Sequence, residues 1–335
     1  MKFRLTTILL ASACTLTSLS IKAAGFSKIS VADPERTDLV VGVWYPTEAV
    51  EAATPNTEFG LSVALNASIG ETNGGLILIS HGYGGWYGGH ADTAAALADA
   101  GYVVAAPTHT GNTWSDMSAP IEQWMLDRPR QVSRVLDHVL ASERLAPHVD
   151  AGKVGVYGFS AGGYTALGLI GGIPDLELAA RHCEEQPEEF VCSEGMIASL
   201  FKAGLHEIPE PSWGADTRVR AAVIAAPGFG FSYDAAALEN VTADVQLWSG
   251  ELDESVPTAT NAASIARALP GEPETHWVDK ASHFAFMTVQ CREAFRQEDP
   301  AEYESVCGDA EGFDRWQFHD DMHTKMIRFF DESFE

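Results

Sequence analysis

Cations are scarce in this chain. Lysine and arginine together number 21 against 47 aspartates and glutamates, a formal charge of −26 over 335 residues. Such a surface repels phosphate backbones and anionic bilayers, which argues against nucleic acid as a partner. Long apolar runs are also missing. Only residues 5–19 come near one, and they are too short and too rich in Ser and Thr to span a membrane, so no stable insertion is expected. Phosphate cradles are absent too, since there is no Walker lysine and no Gly-x-Gly-x-x-Gly opening a helix. The five cysteines are spaced more widely than zinc knuckles, with no histidine at ligand distance from both members of a pair. Neither a metal nor an organic cofactor is expected. No internal repeat or low-complexity tail is present.

What the chain does have is apolar residues at 46%, enough for one large α/β domain with a substantial core. Residues 1–24 read as a secretory signal. Lys2 and Arg4 supply the positive start, residues 5–19 the apolar stretch, and Ala23-Ala24 a small-residue exit with cleavage after one or the other. A lipoprotein reading of Cys14 is the competitor, but Ala11 stands where a bulky residue is usual. Removal of the signal leaves Cys183, Cys192, Cys291 and Cys307, and an even count in an exported chain implies disulfides. Three pairings are open; 183–192 with 291–307 is the simplest. The expected location is periplasmic or secreted.

The stretch that organises the rest is Val154-Gly-Val-Tyr157 followed at once by Gly158-Phe159-Ser160-Ala161-Gly162. A short β-branched and aromatic run suits a buried strand, and the small and apolar residues Ala166, Leu167, Leu169 and Ile170 suit a buried helix. Strand, Gly-x-Ser-x-Gly, helix is the context of a nucleophile elbow, in which a strained turn exposes the serine hydroxyl. The N–H groups at the helix start would face the charge that develops in acyl transfer.

Around this motif the chain alternates. Strands are expected within 36–46, at 75–80, 102–106, 219–226, 245–248 and 274–278. Helices are expected at 92–100, 129–142, 259–269 and 317–330. That rhythm predicts a mostly parallel sheet covered by helices on both faces. Residues 47–73 read as loop. Residues 171–216 break the pattern with acidic residues, four prolines and the first cysteine pair, and read as a lid-like insertion.

Serine needs a base and the base an orienting carboxylate, here expected in the order Ser, Asp or Glu, His. Asp253, in Gly-x-x-Asp-x-x-Val-Pro, and His283 each follow a late strand, the edge where open α/β sheets place their sites. Ser160, Asp253 and His283 are therefore the expected triad. Glu251 and Glu254 flank Asp253 but would point differently, and His276 lies inside a strand. His319 and His323 share a helix face, for which a solvated acidic helix is expected in preference to a metal site. The loop His81-Gly82-Tyr83-Gly84-Gly85-Trp86 ends a strand upstream of the elbow, where a second oxyanion donor arises. The backbone N–H groups of Tyr83 and Ala161 are the expected oxyanion hole. Tyr83, Trp86 and Trp114 are the expected substrate-binding aromatics; His81 is expected to stabilise its loop, and His109 to be structural or at the pocket edge.

Over nearly the whole mature length the chain resembles the α/β-hydrolase superfamily. Within it, Ser80-His81-Gly82-Tyr83-Gly84-Gly85, Gly101-Tyr102-Val103-Val104-Ala105-Ala106-Pro107, Gly158-Phe159-Ser160-Ala161-Gly162-Gly163 and Ser282-His283-Phe284-Ala285-Phe286 resemble exported bacterial dienelactone-hydrolase-like proteins related to platelet-activating-factor acetylhydrolases. The first motif and Gly-x-x-Asp also resemble secreted cutinase-type polyester hydrolases. Dienelactone hydrolases use cysteine where this chain has Ser160. The resemblance implies a serine esterase acting on a small-molecule or lipid-like ester, with phospholipid acetylhydrolase, polyester hydrolase or a non-catalytic binding protein as alternatives.

Overall fold

The computed structural model describes residues 24–207, 213–288 and 291–335. The signal reading of residues 1–24 therefore falls, but for Ala24, outside the described residues, and so does Cys14. The described strands are β1 (Ala24–Val31), β2 (Leu39–Pro46), β3 (Ala64–Leu65), β4 (Leu76–Ser80), β5 (Val103–Pro107), β6 (Val154–Phe159), β7 (Val219–Ala225), β8 (Asp244–Gly250) and β9 (Glu274–Val278). They form one sheet in the order β3-β1-β2-β5-β4-β6-β7-β8-β9. From β5 to β9 every neighbouring pair is parallel, whereas β2 runs antiparallel to both β1 and β5. The central strands β4, β5 and β6 are buried along their whole length, as their unbroken apolar runs require.

Helices α1 (Ala91–Asp99) and α10 (Arg315–Ser333) cover one face. There Ala94, Leu97, Met322, Met326 and Phe330 meet Ile77, Val104, Tyr157 and Val223. Helices α2 (Ile121–Ala141), α3 (Ala161–Leu169) and α7 (Ala262–Ala268) cover the other, packing Val132, Val135, Leu167 and Ile265 on Leu78, Val156 and Leu247. This is the α/β-hydrolase architecture that the resemblance implied. The chain moves outward from β4 to β5 on one side, then returns past β4 to β6 and continues the other way. The loops after β4 and β6 thus diverge at a switch point, where open α/β sheets leave a crevice.

The inserted region 171–216 holds α4 (Leu176–Glu185), α5 (Phe190–Ser193) and α6 (Met196–Lys202). Leu176, Ala179, Val191, Ile197 and Leu200 seat it on the α2/α3 core. Asp175 caps α4 by accepting from the Leu178 N–H. Cys183–Cys192 and Cys291–Cys307 are both disulfide-bonded. The second bond ties α9 (Pro300–Cys307), which follows α8 (Glu293–Glu298), to the segment beyond His283. No helix among the described residues is long and apolar enough to cross a membrane.

Five elements depart from expectation, the first being the two-residue β3 within the expected loop 47–73. β1 occupies a stretch where no strand was expected. Its polar Lys28 and Ser30 face outward, and its order comes from pairing along the full length of β2. Helix α2 begins at Ile121, eight residues before the expected start at Pro129. An internal proline leaves the carbonyl four residues back without a donor; here that carbonyl belongs to Met125, and the Tyr164 hydroxyl donates to it at 3.0 Å. Helices α8 and α9 were not expected at all.

Candidate active site

Ser160 stands between β6 and α3 with φ 56° and ψ −117°, a backbone region that costs a non-glycine residue about 1–3 kcal/mol. The turn closes so tightly that a Cβ on Gly158 would sit 2.1 Å from the Gly162 carbonyl oxygen. One on Gly162 would sit 1.9 Å from that of Ser80. The Ser160 carbonyl accepts from the N–H groups of Gly163, Tyr164 and Gly228, which fixes the strained turn from both sides.

Asp253 and His283 arrive from the ends of β8 and β9. Their loops are bound to each other, since the Leu252 N–H donates to the Ala281 carbonyl and Glu251 N–H to that of Val278. Asp253 Oδ1 accepts from the N–H groups of Ser255 and Val256 at 2.9 and 2.8 Å, leaving Oδ2 for His283 Nδ1 at 2.8 Å. With Nδ1 donating to the carboxylate, the Nε2 lone pair faces Ser160 Oγ, 3.1 Å away. The Phe159 ring packs beside the imidazole at 4.9 Å between centroids. Three side chains up to 123 positions apart thus meet at one rim of the sheet. Glu251 lies in the same turn and makes no bond to His283 among the described contacts, and His276 stacks on Trp248 away from the triad.

The loop after β4 lies against the elbow. A Cβ on Gly82 would come within 3.1 Å of Phe159 and 3.4 Å of Ser160 Cβ, so proximity, not a left-handed φ, is what demands glycine there. Among the described residues no carbonyl accepts from the Tyr83 or Ala161 N–H. Behind the loop runs a buried polar network. His81 Nδ1 donates to the Gly82 carbonyl at 2.7 Å, and its Nε2 accepts from the His109 N–H at 3.0 Å. His109 bridges Ser80 Oγ at 2.9 Å and Gln131 Oε1 at 2.9 Å. Burial first, and then the charge of Arg128, push both histidines well below the usual imidazole pKa, so both are neutral. Both lie in the interior with their ring nitrogens engaged by these bonds.

Arg128 itself was missed. Its guanidinium is wholly buried and reaches the carbonyls of His81 and Gly82 and the Asn112 side chain. A signal was available, because Arg128 falls four residues after Trp124 and four before Val132 on the apolar face of α2. That face is visible only if the helix is extended back past Pro129.

Of the expected substrate-binding aromatics, Tyr83 is half-exposed beside Trp124 and Phe190, the latter from the inserted region. Trp86 turns toward Phe59 and Tyr87, and Trp114 projects into solvent. His319 and His323 are not on a solvated face. They are buried against α1, where His319 Nδ1 lies 2.6 Å from Asp92 Oδ2 and His323 Nε2 lies 3.0 Å from Thr93 Oγ1. These donors and Asp92 group closely enough to suit a metal ion. His319 Nε2 also donates to the Ala285 carbonyl, which ties α10 to the His283 turn.

Residues 66–189 match the profile of the Dienelactone hydrolase family. Among solved structures, the ferulic acid esterase from Streptomyces cinnamoneus is similar in fold with a TM-score of 0.62 and 18% identity. The match covers 96% of this chain and 92% of that one. A search of curated sequences finds no match.

Proposed function

We propose that this chain, which has the α/β-hydrolase fold, is a serine hydrolase that cleaves carboxylic esters through an acyl-enzyme. The observation that carries this reading is the 3.1 Å approach of His283 Nε2 to a strained Ser160 hydroxyl, with Asp253 at 2.8 Å from the other ring nitrogen. Ser160 Oγ bonds to the ester carbonyl carbon while its proton passes to His283 Nε2 and the carbonyl electron pair moves onto oxygen. The N–H groups of Tyr83 and Ala161 receive that oxyanion. Collapse breaks the bond to the alkoxy oxygen, and His283 returns the proton to the departing alcohol. Water, deprotonated by the same imidazole, then releases the acid. Asp253 holds the ring tautomer and stabilises the imidazolium. None of these steps calls for a metal or organic cofactor.

The substrate side is open and aromatic. Tyr83 and Phe190 are the half-exposed rings nearest the oxyanion loop, with Trp124 buried behind Tyr83, and they favour small or medium apolar and aryl acyl groups. Trp86 and Trp114 are held as outer contacts. Phospholipid acetyl esters and polyesters are alternative substrates for the same triad. The reading also takes residues 1–24 as an export signal and the mature chain as periplasmic or secreted, which two disulfides support, since such bonds persist in oxidising compartments.

A fluorophosphonate probe is expected to label the wild-type protein and not Ser160→Ala, whose ester turnover should vanish. Labelling of Ser160→Ala at the wild-type rate would refute the assignment. A p-nitrophenyl ester chain-length series, run beside a feruloyl ester, a short-chain phospholipid and a polyester film, identifies the preferred class.

A further inference from the structure

Arg128 is an unusual residue for its place. It is fully buried, yet among the described residues no carboxylate faces it, and burial pulls its pKa down to about 9, leaving it charged at neutral pH. An unpaired cation in a protein interior is strongly disfavoured unless it is fully hydrogen-bonded, so its bonds say what it is for. Nη1 donates to the His81 carbonyl at 2.7 Å and Nη2 to the Gly82 carbonyl at 2.8 Å. Asn112 Oδ1 accepts from Nε at 3.1 Å and from Nη2 at 2.7 Å. The Trp124 ring lies 5.5 Å from the guanidinium carbon.

The Gly82–Tyr83 peptide is trans, so its C=O and N–H point in opposite directions. Gly82 O is gripped from behind by both Arg128 and His81 Nδ1, so the Tyr83 N–H points away from that network, and among the described residues no carbonyl accepts from it. We infer that Arg128 is a positioning residue for the oxyanion hole. It locks the Gly82–Tyr83 peptide in its donating orientation, and its charge polarises that peptide so that the Tyr83 N–H binds a developing oxyanion more strongly. This rests on the ester-cleaving reading above. Polarisation along a hydrogen-bonded peptide is cooperative, and a low-dielectric setting magnifies it. Arginine suits the position because a planar fork can hold two successive carbonyls and an amide at once, which a lysine ammonium cannot match.

The test compares Arg128→Met and Arg128→Lys with Arg130→Met, a neighbour on α2 that pairs with Asp33 and Asp127 and touches no part of the loop. Since losing one oxyanion donor lowers kcat about 100- to 1,000-fold, misaligning one should lower it about 100-fold in Arg128→Met and about tenfold in Arg128→Lys. KM should stay within about threefold, and affinity for an alkylboronic acid, whose serine adduct mimics the tetrahedral intermediate, should fall in step with kcat. The acid limb of the kcat/KM profile should not move, because Arg128 does not touch His283. Arg130→Met should lose thermal stability and keep kcat. A folded Arg128→Met with kcat within about threefold of wild type overturns the inference. So does a fall in kcat accompanied by equal shifts in KM and in the acid limb, the pattern of general loosening. Should Arg128→Met fail to fold, Arg128→Lys decides by the same criteria. A wild-type protein that does not react with fluorophosphonate removes the esterase reading and this inference together. One that reacts while Arg128→Met turns over normally removes this inference alone.

Discussion

Asp253 is held in a way that makes one substitution unusually informative. Its Oδ1 is fixed by two backbone N–H donors, so an asparagine there must keep its carbonyl oxygen on Ser255 and Val256 and turn its NH2 toward His283. That NH2 can only donate, which forces the imidazole proton onto Nε2 and removes the lone pair facing Ser160. Asp253→Asn should therefore fold normally and lose about 10⁴-fold in kcat, as tautomer inversion does in serine hydrolases, with KM little changed. Activity within about tenfold of wild type in steady-state ester assays would contradict the role given to Asp253. The meeting of Ser160, Asp253 and His283 could be read in advance because each follows a strand in a recognisable local phrase and in a fixed order. Arg128 could not be read that way. Its role is written in carbonyls of a loop 46 residues earlier, and backbone atoms leave no mark in a sequence.

At the scale of elements, the central strands were legible because a strand covered on both faces must be apolar throughout. β1 was not, since its polar outward residues resemble loop and only pairing with β2 orders it. Helix α2 was half-legible. Pro129 has the signature of a first turn, and what overrides that signature is a tertiary bond from Tyr164 on α3. This makes a prediction about the helix and not about catalysis. Tyr164→Phe leaves the buried Met125 carbonyl without a donor, at a cost of about 1–3 kcal/mol. Urea unfolding should show a lower midpoint at an unchanged m-value, and hydrogen exchange should quicken first in residues 121–129. An unchanged midpoint would mean that α2 needs no such support. The short helices α8 and α9 carry few apolar residues, and a disulfide rather than a hydrophobic stripe anchors them, so periodicity has nothing to detect.

For the molecule as a whole, acid acts through histidines kept neutral in the interior. Burial, reinforced by Arg128, lowers His81 and His109 well below the ordinary value of 6.5; burial, against the pull of Asp92, brings His90 to about 4. Below pH 6.5 the unfolded chain takes up protons that these folded-state rings refuse. Their contribution is thus complete above 6.5 and is lost as pH falls toward 4, each ring steepening the decline by up to about 1.4 kcal/mol per pH unit. Asp92 extends the trend. Burial would raise its pKa, but the bond from His319 and the nearby imidazoles hold it far below the usual carboxylate range, so its contribution is lost only below 3.8. Asp99 works the other way, since burial first and then Glu51 push its carboxyl up to about 6 and its protonation adds stability as pH falls below that value, but one such group offsets at most one of the three rings. Urea midpoints should be flat between pH 8 and 7 and fall steadily from 6.5 to 5. A midpoint that holds or rises over that interval would refute the assignment of neutral interior histidines.

The divergence of the chain on either side of β4 has a consequence for how such a protein changes over generations. The parting of the loops after β4 and β6 toward opposite faces is made by the order of the strands, and no particular side chain is needed for it. Tyr83 and Phe190, beside this rim, are half in solvent and lie outside the core clusters. Replacing them should therefore change which groups the rim presents while the packing beneath stays intact.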